Sequence, residues 1–175
     1  MMLAKFSDLE NKSVFITGGG SGIGAEITKA FIQQGAKVSF VQRSDAEHFC
    51  DKVEAEFNSR PYFIKCDITD LNALKKAVEL ANSVNGDAEI LVNNAANDDR
   101  HETLNVTEEY WDKSQAINIK SYFFASQYVL PGMQAKGGGS IINFSSISYM
   151  MGNAGYPAYT TANAGIMGMT RSIAR

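Results

Sequence analysis

A chain of 175 residues, 45% hydrophobic and 20% charged, is long enough for one domain with a sizeable core and ordinary in composition for a globular protein. Its formal net charge of −3 argues against a general nucleic-acid or anionic-membrane binder, and no apolar run approaches the roughly 20 residues that cross a bilayer. Cys50 and Cys66 are too few for a disulfide framework, and His48 and His101 stand isolated, so neither a stapled scaffold nor a metal site is expected.

The opening Met1 to Asp8 lacks the apolar core of a signal peptide, which makes a cytoplasmic location the default. Ser13-Val14-Phe15-Ile16-Thr17 is a β-branched and aromatic run that ends in glycines, the pattern of a buried strand. Ile23 to Gln34 has helical spacing at Ile23, Ile27, Ala30 and Phe31, and Gly35 stops it. A second strand follows at Lys37 to Val41, then a helix over about 45–58, a strand at Tyr62 to Cys66 and a helix from Leu71 to Val84. Glu89 to Asn93 reads as the fourth strand, about 111–134 as a long helix, Gly137-Gly138-Gly139 as a helix-to-strand turn, and Ser140 to Phe144 as the fifth strand. A last helix starts near Tyr156-Pro157 and is still running at Arg175 without a stop signal, so the chain is expected to break off mid-helix. Strands alternating with helices predict a single α/β domain over 1–175, a Rossmann-like, doubly wound parallel sheet.

A strand that ends in glycines and opens into a helix suits a pyrophosphate. In Thr17-Gly18-Gly19-Gly20-Ser21-Gly22-Ile23-Gly24, Gly18 permits the tight turn, Gly22 a close backbone approach and Gly24 the packing of helix on strand. The helix N-terminus adds free N–H groups and a positive dipole end. A P-loop is excluded, because Gly24 is followed by Ala25 rather than by Lys-Ser or Lys-Thr. The second strand ends Val41-Gln42-Arg43. An acidic residue there would hold the ribose 2′-OH of NAD, whereas Arg43 can pair with a 2′-phosphate and favours NADP. Asp45 remains within reach of a ribose in the NAD alternative.

The glycine turn, Ser146 after the fifth strand, and Tyr159 thirteen residues beyond it together resemble the short-chain dehydrogenase/reductase family. The resemblance implies a nicotinamide cofactor, NADP or NAD, held by Gly18, Gly20, Ser21, Gly22, Ile23, Gly24, Gln42 and Arg43. It places Asp67 and Ile68 at the adenine, and Asn94, Ala95 and Ala96 beside the cofactor, with Ala96 where the family more often has Gly. It implies proton transfer by Ser146 and Tyr159, with Asn118 supporting a relay through water. Tyrosine, with an ordinary pKa of about 10, needs help to act as a base near neutrality. In the family a Lys one helical turn on stabilises tyrosinate and holds the nicotinamide ribose. Here that position is Asn163, a catalytic and cofactor position without a charge.

The polar segment Asn94-Ala95-Ala96-Asn97-Asp98-Asp99-Arg100-His101 looks like that of family members that oxidise aldoses at C1. Asn97 and His101, with Ser148, Asn153 and Tyr156, are expected to face a sugar or other polar alcohol. The resemblance also implies about seven strands, of which five are present, and a homo-oligomer, a dimer or tetramer. Two other functions stay open: a 3-oxoacyl thioester reductase, which shares the core motifs, and a non-catalytic NAD(P)-binding scaffold permitted by Asn163.

Overall fold

The computed structural model describes residues 4–174. Met1 to Leu3 and Arg175, on which the expectations about the chain's two ends partly bear, lie outside the described residues. Five parallel strands form one sheet, β1 (Ser13–Thr17), β2 (Lys37–Gln42), β3 (Tyr62–Lys65), β4 (Ile90–Asn93) and β5 (Ser140–Asn143), in the order β3-β2-β1-β4-β5. The helices are α1 (Gly22–Gln33), α2 (Glu47–Phe57), α3 (Leu71–Asn85), α4 (Glu108–Gln115), α5 (Ser121–Ala135), α6 (Ser148–Met151) and α7 (Pro157–Ile173). The α/β alternation and the parallel pairing are those the sequence predicts.

Central strands of such a sheet are covered on both faces, and β1 is buried at every position. On one face Phe15, Val41 and Leu91 pack with Leu74 and Val78 of α3 and Val129 and Met133 of α5. On the other, Val14, Ile16, Val38 and Phe40 pack with Ile32 of α1 and Cys50 and Val53 of α2. Burying Leu74 fully stabilises the fold by about 1.5–3 kcal/mol. Cys50 and Cys66 are buried, one in each cluster, and burial pushes both thiols up to about 11, which keeps them unreactive.

Several local expectations change. The long helix begins three residues early, because the Thr107 hydroxyl accepts the Tyr110 N–H and caps α4, with Glu108 and Glu109 in its first turn. It then widens into a π-helical turn at Ala116–Lys120 before continuing as α5. The last helix ends its regular turns at Ile173, with the Ala174 N–H bonded to Thr170. The short α6 has no counterpart among the predicted elements. Gly137 and Gly138 do make the turn into β5, at φ 81° and 154°.

Candidate active site

The order of the strands reverses between β1 and β4, and an open parallel sheet has its crevice at such a point, beyond the carboxyl ends of the strands. Thr17 joins its two sides. Its Oγ1 accepts the N–H groups of Asn94 and Ala95 at 3.0 and 3.1 Å, and Asn94 Nδ2 donates back to the Thr17 and Gly18 carbonyls. Gly18 takes φ 72°, and its N–H donates to the Val41 carbonyl at 2.7 Å. A Cβ on Gly24 would sit 1.9 Å from the Gly18 carbonyl oxygen, so α1 lies directly on the turn and only glycine fits. Gly22, at φ 52°, would meet nothing within 4 Å, and its requirement for glycine is conformational.

Above this turn lies a cavity of about 670 Å3. It collects most of the expected cofactor residues: Gly18, Ser21, Ile23 and Gly24 on its floor, Gln42, Arg43, Asp67 and Ile68 on one side, and Asn94, Ala95 and Ala96 on the other. Ser21, at the head of α1, makes no cap bond of its own, leaving the first N–H groups of the helix without a side-chain partner. Gly20 stands apart from the residues that line the cavity, and its N–H is taken by Gln42 Oε1 at 3.1 Å. The Gln42 amide also donates to the Ser44 carbonyl and hydroxyl, so this side chain braces the glycine turn rather than offering free polar atoms. Arg43 is exposed at the rim. Burial pushes the Asp67 carboxyl up, but the Thr69 N–H and hydroxyl, with Arg43 and Lys113, pull it further the other way, to below the usual carboxylate range.

Asn118 sits in the π turn and is 2% exposed. Its Oδ1 accepts the Asn97 N–H at 2.9 Å and its Nδ2 donates to the Asn97 carbonyl at 3.0 Å, gripping the loop after β4 from both sides. The turn also brings Ile117 to the cavity. A π turn sits where a helix must re-aim one residue. Asn97 lines the cavity and its side chain bonds Asp99.

Ser146, Tyr159 and Asn163 lie beyond the cavity's lining residues. Ser146 Oγ accepts the Ser148 N–H at 3.2 Å, which fixes the oxygen and leaves its proton free to donate. Tyr159 is half-buried, and its hydroxyl bonds none of the described residues. The Tyr159 phenol lies close enough to Tyr122 to reinforce burial in raising the Tyr122 hydroxyl well above the ordinary tyrosine range. Asn163 is 3% exposed, and its Nδ2 donates to the Tyr159 main-chain carbonyl at 2.9 Å, back into its own helix. Ser145 Oγ donates to the Asn163 carbonyl and ties α7 to the end of β5.

Three expected substrate residues are placed otherwise. Ser148 is buried, its hydroxyl has no partner among the described residues, and its N–H donates to Ser146 Oγ. Both His101 ring nitrogens are engaged within the protein. Tyr156 is buried, accepts a bond from Asn153 Nδ2 at 3.1 Å, and carries the Arg100 guanidinium 3.9 Å above its ring. Arg100, Gln115 and Tyr122 escape a sequence reading, since only the fold brings them to α7. Among the described residues no three His, Cys, Asp or Glu side chains gather as metal ligands, and no helix is long and apolar enough to cross a membrane.

The family model described as short chain dehydrogenase matches residues 12–175. The chain is 46% identical over 173 residues to a Rhizobium meliloti protein named "Probable galactose dehydrogenase GalD", covering 98% of this chain and 68% of that one. It is 44% identical over 178 residues to a D-xylose 1-dehydrogenase of Caulobacter vibrioides, covering 100% and 69%. Among solved structures, the Cj0485 dehydrogenase superposes with a TM-score of 0.87 at 30% identity, over 95% of this chain and 63% of that chain. The chain therefore spans about two thirds of the length of these proteins.

Proposed function

The chain belongs to the short-chain dehydrogenase family, and on that premise we propose that it serves an NAD(P)-dependent oxidoreductase acting on the carbinol or carbonyl carbon of a sugar. The observation that carries this reading is the glycine-floored cavity at the switch point, where a Cβ on Gly24 would strike the Gly18 carbonyl. Gly18, Ser21, Ile23 and Gly24 would hold the pyrophosphate against the head of α1. Asp67 and Ile68 would flank the adenine. Arg43, exposed at the rim, would take a 2′-phosphate and favour NADP. The bound nicotinamide supplies hydride acceptance from, or donation to, the substrate carbon.

The rest falls to this chain's own groups. Oxidation of an alcohol requires its hydroxyl proton to leave as the hydride does, and Tyr159, as the phenolate, would receive that proton. Ser146, its oxygen held by the Ser148 N–H, would donate a hydrogen bond to the substrate oxygen and orient it, keeping its own proton. Asn118, gripping Asn97, would keep the polar loop in place. Asn163 supplies no cation, and its amide is turned onto the Tyr159 carbonyl, so ionisation of the phenol lacks electrostatic support and cofactor binding is favoured over turnover. A sugar fits the polar Asn97 to Arg100 loop, and the printed names of the two curated relatives support that class.

Fluorescence titration with NADPH and NADH tests the reading. NADPH should bind more tightly. A preference for NADH would overturn the role given to Arg43, and binding of neither would sink the cofactor assignment.

A further inference from the structure

Helix α7 begins Pro157-Ala158-Tyr159, so the Ala158 N–H belongs to the first turn, which has no intrahelical acceptor. Tyr156, at the cap position, gives no side-chain cap bond to the helix. The acceptor comes from a distant loop: His101 Nε2 lies 3.2 Å from the Ala158 N. The Ala158 carbonyl, half of the peptide that carries Tyr159, accepts a bond from Gln115 Nε2 of α4 at 2.9 Å. The peptide groups on both sides of the Ala158 α-carbon are therefore held by side chains of two other elements.

His101 is itself fixed. Its N–H donates to the Gly155 carbonyl at 2.8 Å. Nδ1 stands 2.9 Å from the Asp99 carbonyl and 2.8 Å from the Tyr110 hydroxyl, and the two rings lie 4.7 Å apart. An Nε2 that accepts and an Nδ1 that must donate to a carbonyl describe one neutral tautomer, with the proton on Nδ1.

The geometry points to His101 and Gln115 as positioning residues that set Tyr159 through the Ala158 peptide, His101 doing so only as the neutral Nδ1–H tautomer. This rests on the proposed role of Tyr159. A second proton on the imidazole would turn Nε2 from acceptor to donor and set it against the Ala158 N–H. The charged and titratable neighbours are few. Asp99 has its carboxylate on Asn97 Nδ2, Arg100 lies over Tyr156, and Glu102 accepts from Asn105. From α4 come Tyr110 and Lys113, and α7 carries Arg171 at its far end, its one charged residue.

The test uses the whole chain. Nitrogen-15 NMR at about pH 8 should show His101 as the Nδ1–H tautomer, with the Ala158 amide protected from exchange. His101→Gln, whose amide oxygen also accepts a hydrogen bond, should keep the Ala158 amide protected. His101→Phe should leave Ala158 unprotected while the α5 amides keep their protection. In an Asn163→Lys background, His101→Phe and Gln115→Leu should each lower kcat roughly tenfold or more with little change in KM. His101→Gln should restore most of that loss. An Nε2–H tautomer or an unprotected Ala158 amide overturns the clamp. A protected amide with full turnover in His101→Phe overturns the positioning role. Absence of turnover in the Asn163→Lys parent would instead sink the oxidoreductase reading, while the NMR arm still decides the clamp.

Discussion

The two halves of the crevice are built by different means. The proposed cofactor half is local and closed on itself. Thr17, Gly18 and Gly24 meet Asn94 and Ala95 through short bonds and a contact that excludes any side chain. The proposed catalytic half is held from a distance. Ser146 is fixed by a backbone N–H, Asn163 points into its own helix, and the Ala158 peptide depends on His101 and Gln115. A backbone cradle tolerates almost no substitution but needs little else, whereas a side-chain constellation can lose its charge and keep its fold.

The sharpest way to break this contrast is to restore the charge. Asn163→Lys should raise turnover by about 10²-fold or more, the scale of a working acid–base group, while NADPH affinity changes far less. Steady-state kinetics beside a binding titration measure both, and Tyr159→Phe should abolish the gain. Equal turnover with Asn and Lys at position 163 would mean that Tyr159 is not the base or that another group supplies the charge.

The converse experiment targets the cradle. Gly24→Ala puts a Cβ 1.9 Å from the Gly18 carbonyl oxygen, an overpacking that costs about 1–3 kcal/mol and forces the turn open. NADPH binding should weaken roughly tenfold or more. Unchanged affinity would show that the turn does not carry the pyrophosphate.

This division also decides what could be read from the sequence. The five strands and the glycine turn are visible because short β-branched and aromatic runs, and glycines between a strand and a helix, are local signals. The early start of α4 was available in Thr107 followed by two glutamates. The π turn at Ala116–Lys120 was not, since widening a helix by one residue leaves no mark on composition. Ser148–Met151 is too short and too apolar to stand out from a loop. Pairings such as His101 with Ala158, 57 residues apart, exist only once the sheet has formed. His101, a polar residue expected to meet substrate, has both ring nitrogens engaged by groups that the sequence does not place beside it.

Arg43 tests the cofactor half at its rim. Arg43→Ala should weaken NADPH by roughly 1.5–3 kcal/mol, the scale of hydrogen bonds to a charged group, and leave NADH nearly unaffected, as read by parallel titrations. Equal losses for both cofactors would move Arg43 from the 2′-position to a general electrostatic role.

The smallest effect concerns Asp67. Its carboxyl is held below the usual range, burial being outweighed by the Thr69 bonds and by Arg43 and Lys113. A folded value below the unfolded one means that the contribution is present above the ordinary carboxyl range and is lost as pH falls through the folded value. The group is partly exposed, so solvent screening keeps the contribution below about 1 kcal/mol. Thermal melts of the wild type between about pH 6 and about pH 3, around the ordinary aspartate value, should therefore decline slightly more steeply than those of Asp67→Asn, which has nothing to protonate. Parallel curves would show that the Thr69 turn and the neighbouring cations do no more for the carboxylate in the folded chain than water does in the unfolded one.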